Sequence, residues 1–321
     1  MQFVYPNTLK SEEYKLVQGT LIIDSGENPT DIEILLSRSI PGEGVVDKFT
    51  TTANEKGNFQ FQEIPFANNS IYTLVVMYKG LIHTKILDLS KEIQVETTLR
   101  IPQTSSDDSI LNIPLISILI LGNNESKTEL KFLEIIKIKN DSSYTYIPGL
   151  KPMERMRFSL PKGYQNLNVD SSLIDAQVIK VDSGFALDAY VHPGEHDIMY
   201  GYILNYKNQT MNIKKNFWYN TEKIRILAPE NLLINLNATI STTEKAEIGQ
   251  KIYQVFTLEN FNKASSLELN IDKLPTPSIY ENIENKLNQI QFQYVPISVL
   301  IVLMFFIILM SYIRKKLMDP K

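Results

Sequence analysis

The stretch TTANEKGNFQFQEIPF, residues 51–66, decides the fold. Its second half alternates, with Phe59 and Phe61 apolar and Asn58, Gln60 and Gln62 polar, which is the period of a strand with one face on a core. Its first half is turn chemistry: Asn54 and Gly57 tolerate a left-handed backbone, and Gly57 supplies the positive φ. The reading is a hairpin joining strands 45–53 and 58–64, with Pro65 ending the second. Working outward, 17–23, 31–37, 71–79, 81–89 and 93–101 show the same short Val-, Ile- and Thr-rich pattern. Asp24-Ser25-Gly26, Pro41-Gly42 and Ala67-Asn68-Asn69 separate them. Seven such strands over 17–101 predict a small antiparallel β-sandwich behind an N-terminal segment, 1–16.

The order of these features is itself informative. Val17-x-Gly19 opens the module, Pro29 precedes the second strand, and the Thr51–Phe61 stretch is followed by Ile64-Pro65 and Tyr72-x-Leu74-x-Val76. This progression resembles the carboxypeptidase regulatory-like domain, a transthyretin-like sandwich. The resemblance covers about a quarter of the chain and implies an accessory or adhesive module, while saying almost nothing about activity.

Residues 102–110 read as a polar linker. A second all-β stretch follows over 111–272, with strands at 113–121, 129–139, 155–161, 185–191, 196–206, 212–219, 223–229, 251–258 and 266–271. The number of strands predicts a larger sandwich, so the fold class is mainly β: two tandem sandwiches. Pro193-Gly194-Glu195-His196, leading into Tyr200-x-Tyr202-x-Leu204-x-Tyr206, resembles the second domain of bacterial membrane-anchored proteins that carry the regulatory-like module first. That resemblance implies an envelope or membrane protein partner, of the cytochrome-c assembly or respiratory kind.

The chain's most hydrophobic run is VPISVLIVLMFFIILMSYI, residues 295–313, without one charge. As a helix it spans roughly 28 Å, the thickness of a bilayer's hydrocarbon core. Tyr294 and Tyr312 stand at its ends, and Arg314, Lys315 and Lys316 follow. The expectation is a single-pass anchor in the lipid bilayer, a basic cytoplasmic tail at 314–321, and the bulk of the chain extracytoplasmic. Before it, 273–294 reads as a neck with a short amphipathic helix whose stripe is Ile279, Ile283, Leu287 and Ile290. Residues 1–16 show no signal peptide, which keeps open the alternative of a tail anchor with the bulk in the cytosol.

The charge of −4 gives no basic face for phosphates, so no nucleic-acid partner is expected. With no cysteine, disulfides, thiol nucleophiles and Cys-ligated metals are excluded. His192-Pro193-Gly194-Glu195-His196 matches H-x-x-E-H, but that motif needs both His on one helical face, and Pro-Gly between two strands predicts a hairpin turn. His83 lies alone in a strand. No nucleophile elbow, P-loop or calcium loop is present, and Asp107-Asp108 offers only a shallow oxygen site. Tyr200, Tyr202 and Tyr206 with Trp218 form the one set of aromatics that invites a ligand reading. They share a strand face with Leu204, which also fits a core. No catalytic residue, metal or cofactor is expected. The function read from the sequence is a non-catalytic interaction or assembly module; a carbohydrate-binding adhesin and an enzyme with an unrecognised carboxylate site are the alternatives.

Overall fold

A computed structural model describes residues 13–121, 128–151 and 154–276. It is mainly β, with no α-helix among the described residues. No helix among them is long and apolar enough to cross a membrane. The neck helix, the 295–313 run and its flanks Tyr294, Tyr312, Arg314, Lys315 and Lys316 lie outside the described residues.

The N-terminal strands are β1 Glu13–Ile23, β2 Glu33–Ile40, β3 Gly44–Thr52, β4 Asn58–Phe66, β5 Ile71–Tyr78, β6 Leu81–Leu87 and β7 Gln94–Ile101. They form two sheets, β4-β1-β7 and β3-β2-β5-β6. Alternate residues from both, among them Val17, Leu21, Ile34, Leu36, Phe59, Phe61, Ile64 and Leu74, bury into one core. Each large apolar side chain removed from water there stabilises the fold by about 1.5–3 kcal/mol. The sandwich departs from a purely antiparallel one, because β1 and β7 run parallel, Val17 opposite Val95 and Ile23 opposite Ile101.

The 51–66 stretch folds differently from the hairpin its sequence suggests. β3 pairs with β2 and β4 pairs with β1, so the turn between them carries the chain from one sheet to the other. Asn54 builds that corner. Its Oδ1 accepts from the backbone N–H groups of Lys56 at 3.0 Å and Asn58 at 2.9 Å. Gly57 adopts φ +79°, and its carbonyl accepts from Leu21 N at 2.8 Å. That bond draws the emerging strand onto β1 instead of back along β3.

The second unit comprises β8 Thr104–Ser105, β9 Leu111–Leu121, β10 Glu129–Asn140, β11 Thr145–Tyr146, β12 Met156–Ser159, β13 Gln165–Ser171, β14 Gln177–Val181 and β15 Gly184–Asp188. It continues with β16 Gly194–Asn205, β17 Met211–Asn216, β18 Thr221–Pro229, β19 Leu233–Leu236, β20 Thr242–Ile248, β21 Lys251–Phe261 and β22 Ser266–Asp272. Its main sheet has the order β13-β16-β10-β9-β18-β21-β20. Two smaller sheets, β12-β15-β14 and β17-β22-β19, contribute Phe158, Phe185, Leu187, Ile213 and Leu269 to the same core. The segment between β15 and β16 is again a crossing between sheets and not a hairpin: β15 pairs with β12 and β14, β16 with β10 and β13.

The linker is pinned along its length. β8 pairs with β11, Ile147 N donates to Ser105 O at 2.8 Å, and Asp107 caps a 3-10 turn over Asp108–Ile110. Asp108 pairs with Lys263 at 2.9 Å. At the other end, Leu274 is buried and Tyr206 donates its hydroxyl proton to Pro275 O at 2.8 Å, which straps the last described residues to β16.

Candidate functional site

β10 and β16 are adjacent antiparallel strands, and their register sets Glu134 opposite Tyr200 and Phe132 opposite Tyr202. These four side chains share the inward face, because period-two alternation places them with Leu130, Ile136 and Ile198. Tyr200, Tyr202 and Tyr206 are therefore buried, at 1%, 3% and 6% exposure, and present no ring face to a ligand. Trp218 is half-buried, and the Arg157 guanidinium lies over its ring at 4.6 Å.

The tyrosines instead enclose a charge. Tyr200 donates to Glu134 Oε2 at 2.6 Å and Tyr202 to Oε1 at 2.9 Å. Lys215, from β17, reaches Glu134 Oε2 at 2.7 Å and also donates to Tyr200 Oη at 3.0 Å and Ser159 O at 3.1 Å. Burial and the Glu134 carboxylate push both phenols well above their ordinary range, so they remain donors at any physiological pH. The adjoining void is about 20 Å³, room for one water and no substrate. Every oxygen and nitrogen in this group has a partner, as buried polar atoms require. The arrangement ties β17 and Ser159 of β12 to the main sheet through the core.

The histidines fall at the junction of the two units. His83 is on β6, and His192 and His196 flank the start of β16. The Tyr190 hydroxyl accepts from Ile82 N at 3.2 Å, and His192 Nε2 lies 2.9 Å from Ile82 O. Nδ1 of His192 is 3.0 Å from Thr145 Oγ1, and His196 Nε2 is 2.9 Å from His192 O. With both His192 nitrogens engaged, the H-x-x-E-H string has no free ligand pair. No group of three or more metal-ligating side chains occurs among the described residues. Beside the histidines is a cleft of about 620 Å³ that also includes Asp24, Arg100, Ser172 and Glu195.

A second hollow, about 810 Å³, lies on the outer face of β4-β1-β7 and is lined by Gln18, Thr20, Asn58, Gln60, Glu96 and Thr98. It is open and polar, with Glu96 its single carboxylate. The carboxylates whose proton affinity is displaced are held down: Glu27 to about 2, by hydrogen bonds from Lys79 and then Tyr78, and Asp88 and Asp107 by Ser90 and Ser109. A general acid needs the opposite displacement.

The remaining feature is an edge. β3 pairs with β2 alone, and nine residues, Gly44–Thr52, border the four-stranded sheet. Val45 and Val46 are both exposed, at 54% and 38%, and Val46 is the extra residue of a bulge, with Val45 opposite Ser39 and Asp47 opposite Arg38. Arg38 and Asp47 pair across β2 and β3 at 2.5 Å and hold the register beside a bulge at Arg38/Ser39.

No family model matches the chain, and no curated protein matches it. Among solved structures, it is similar to a candidate protease from Parabacteroides distasonis, at 10% identity and TM-score 0.31, over 51% of this chain and 40% of that one. It is also similar to a two-domain M1 zinc metallopeptidase with bound L-tryptophan, at 8% identity and TM-score 0.31, over 50% and 42% of the two chains. An M1 zinc metallopeptidase from Deinococcus radiodurans gives 8% identity and TM-score 0.29, again over 50% and 42%. The matched region thus spans less than half of each of those proteins, and likeness at this level carries no argument about activity.

Proposed function

We propose that this chain is a membrane-anchored, extracytoplasmic interaction module that holds a protein partner by strand addition at β3. The observation that carries the reading is the open edge at Gly44–Thr52 with its exposed Val45 and Val46. Unpaired N–H and C=O groups along an edge supply affinity, and the exposed apolar side chains supply selectivity. The N-terminal sandwich is a carboxypeptidase regulatory-like, transthyretin-like domain on this account. The Gly57 corner, the inward Phe59 and Phe61, and Ile64-Pro65 followed by Tyr72-x-Leu74 support it. The anchor is the 295–313 run, and Arg314, Lys315 and Lys316 keep the tail on the cytoplasmic side. Buried Tyr200, Tyr202 and Tyr206 speak against a sugar platform, and hollows without paired, upward-shifted carboxylates speak against hydrolysis.

The test is site-specific photocrosslinking of the full-length chain in its own membranes. A photoreactive residue at Val46 should yield one discrete adduct, while the same group at Gln60, on the other sheet, yields none. Val45→Lys should remove the adduct, because a charge on an edge opposes pairing. Equal labelling from both positions, or an adduct indifferent to Val45→Lys, would remove β3 as the docking edge.

A further inference from the structure

All three histidines of the chain converge on the contact between the two sandwiches, although 109 residues separate His83 from His192. Their rings lie 4.7 Å apart at 45°. We propose that this contact is a proton-operated latch: neutral imidazoles hold the sandwiches together, and protonation of His83 releases them.

The hydrogen bonds define the closed state. Tyr190 and His192 grip the two backbone groups of one residue, Ile82, as a neighbouring strand would. The neutral tautomer of His192 that suits its partners donates from Nε2 to Ile82 O and accepts at Nδ1 from Thr145 Oγ1. His83 is 4% exposed, and its Nε2 has no partner. A proton there creates a buried charge and a donor with no acceptor, against the ring of His192.

The surrounding groups do not offset that charge. From the second unit, His83 meets the His192 ring, and Tyr190, Glu195 and His196 line the same cleft. From its own sandwich it faces the Asp24–Arg100 pair, closed on itself at 2.5 Å. His196 donates its hydrogen bond to His192 O, which adds a second imidazole beside the first. Glu195, opposite Lys139 on β10, is the second carboxylate of the cleft and the group placed to oppose release.

Burial and the neighbouring His192 lower His83 from 6.5 to about 4, and burial also lowers His192. A group that binds its proton more weakly when docked shifts docking by linkage. Between pH 7.5 and 4.5 the closed-to-open ratio should fall on the order of 10²-fold. This latch does not depend on what binds β3.

The chain has no cysteine, so spin labels at Thr84→Cys and Ser143→Cys, exposed positions on either side of the cleft, report on it without background. Double electron–electron resonance on the full-length chain in detergent should show one short distance at pH 7.5 and a broad, longer distribution at pH 4.5. His83→Phe keeps a ring but cannot titrate, and with only His192 left to respond it should keep more of the short distance at pH 4.5 than the parent chain. An unchanged distance at pH 4.5 in the parent chain, or opening of His83→Phe to the same extent, would overturn the latch. Carbon-13 NMR of the three imidazoles in the unlabelled parent chain tests it without any substitution. One ring should titrate well below 6, and three ordinary midpoints near 6.5 would contradict it.

Discussion

Tyr200 donates its hydroxyl proton to Glu134 from the cross-strand position directly opposite, at 2.6 Å, with both side chains out of solvent. The pair sits at the centre of the second core. Phe185 meets the Tyr200 ring edge-on at 5.0 Å, and Lys215 closes the far side. The aromatic stripe of β16 thus serves to enclose a carboxylate.

Glu134→Ala should destabilise the second unit by about 3–5 kcal/mol, because Lys215 is left charged and buried. Replacing both, as Glu134→Leu with Lys215→Met, should recover only part of that loss, since it removes the stranded charge but leaves the buried Tyr200 and Tyr202 hydroxyls without their acceptor. Urea denaturation of the single and double variants measures the difference. If the double variant is no better than the single one, the network contributes more than charge compensation.

Gly57→Ala should cost more than about 1 kcal/mol, since φ +79° strains an L-residue and the added Cβ would meet the Leu21 carbonyl. Gly42→Ala also lies at positive φ, +88°, but nothing stands within 4 Å, so only the strain remains. Thermal unfolding of the two variants should rank Gly57→Ala as the more damaging.

Tyr206→Phe removes the strap to Pro275 and should cost about 0.5–1.5 kcal/mol. Hydrogen exchange is the more local readout. Leu274 N, bonded to Gln209 O at 2.9 Å, should lose protection while amides of β1 do not.

Stability should also fall in acid. His83 holds its proton less well in the fold, at about 4, than in an unfolded chain near 6.5. Between those values the unfolded state binds the extra proton, so the contribution is complete above pH 6.5 and is lost as pH falls towards 4. Denaturant midpoints should decline across that window in the parent chain and less in His83→Phe.

Much of this was legible in the sequence, and the failures have physical causes. The seven strands of the first sandwich follow from alternation and turn residues, nearly to their ends. Which strands pair does not, since the Asn54–Gly57 turn looks alike whether it closes a hairpin or turns a corner. β20 escaped because TTEKAEI buries no residue and has no apolar period, while β13 and β14 carry only two alternating apolar positions each, Leu167 with Val169 and Ile179 with Val181, too few to stand out from a loop. Glu134 did leave a signal. In ELKFLEIIKIK it occupies the register of Leu130, Phe132, Ile136 and Ile138, where a lone charge demands a partner. Lys215 follows Ile213 on the inward face of β17 in the same way. The meeting of His83 with His192 has no local trace, because only the packing of the two sandwiches creates it.

On the function proposed above, the two sandwiches stand outside a membrane on a C-terminal anchor. Protease treatment of intact cells carrying the full-length chain with an N-terminal tag tests it most directly. The account predicts loss of the tag without lysis, leaving a membrane-bound C-terminal fragment. Protection of the tag until the membrane is broken would contradict it and place the sandwiches on the cytoplasmic side.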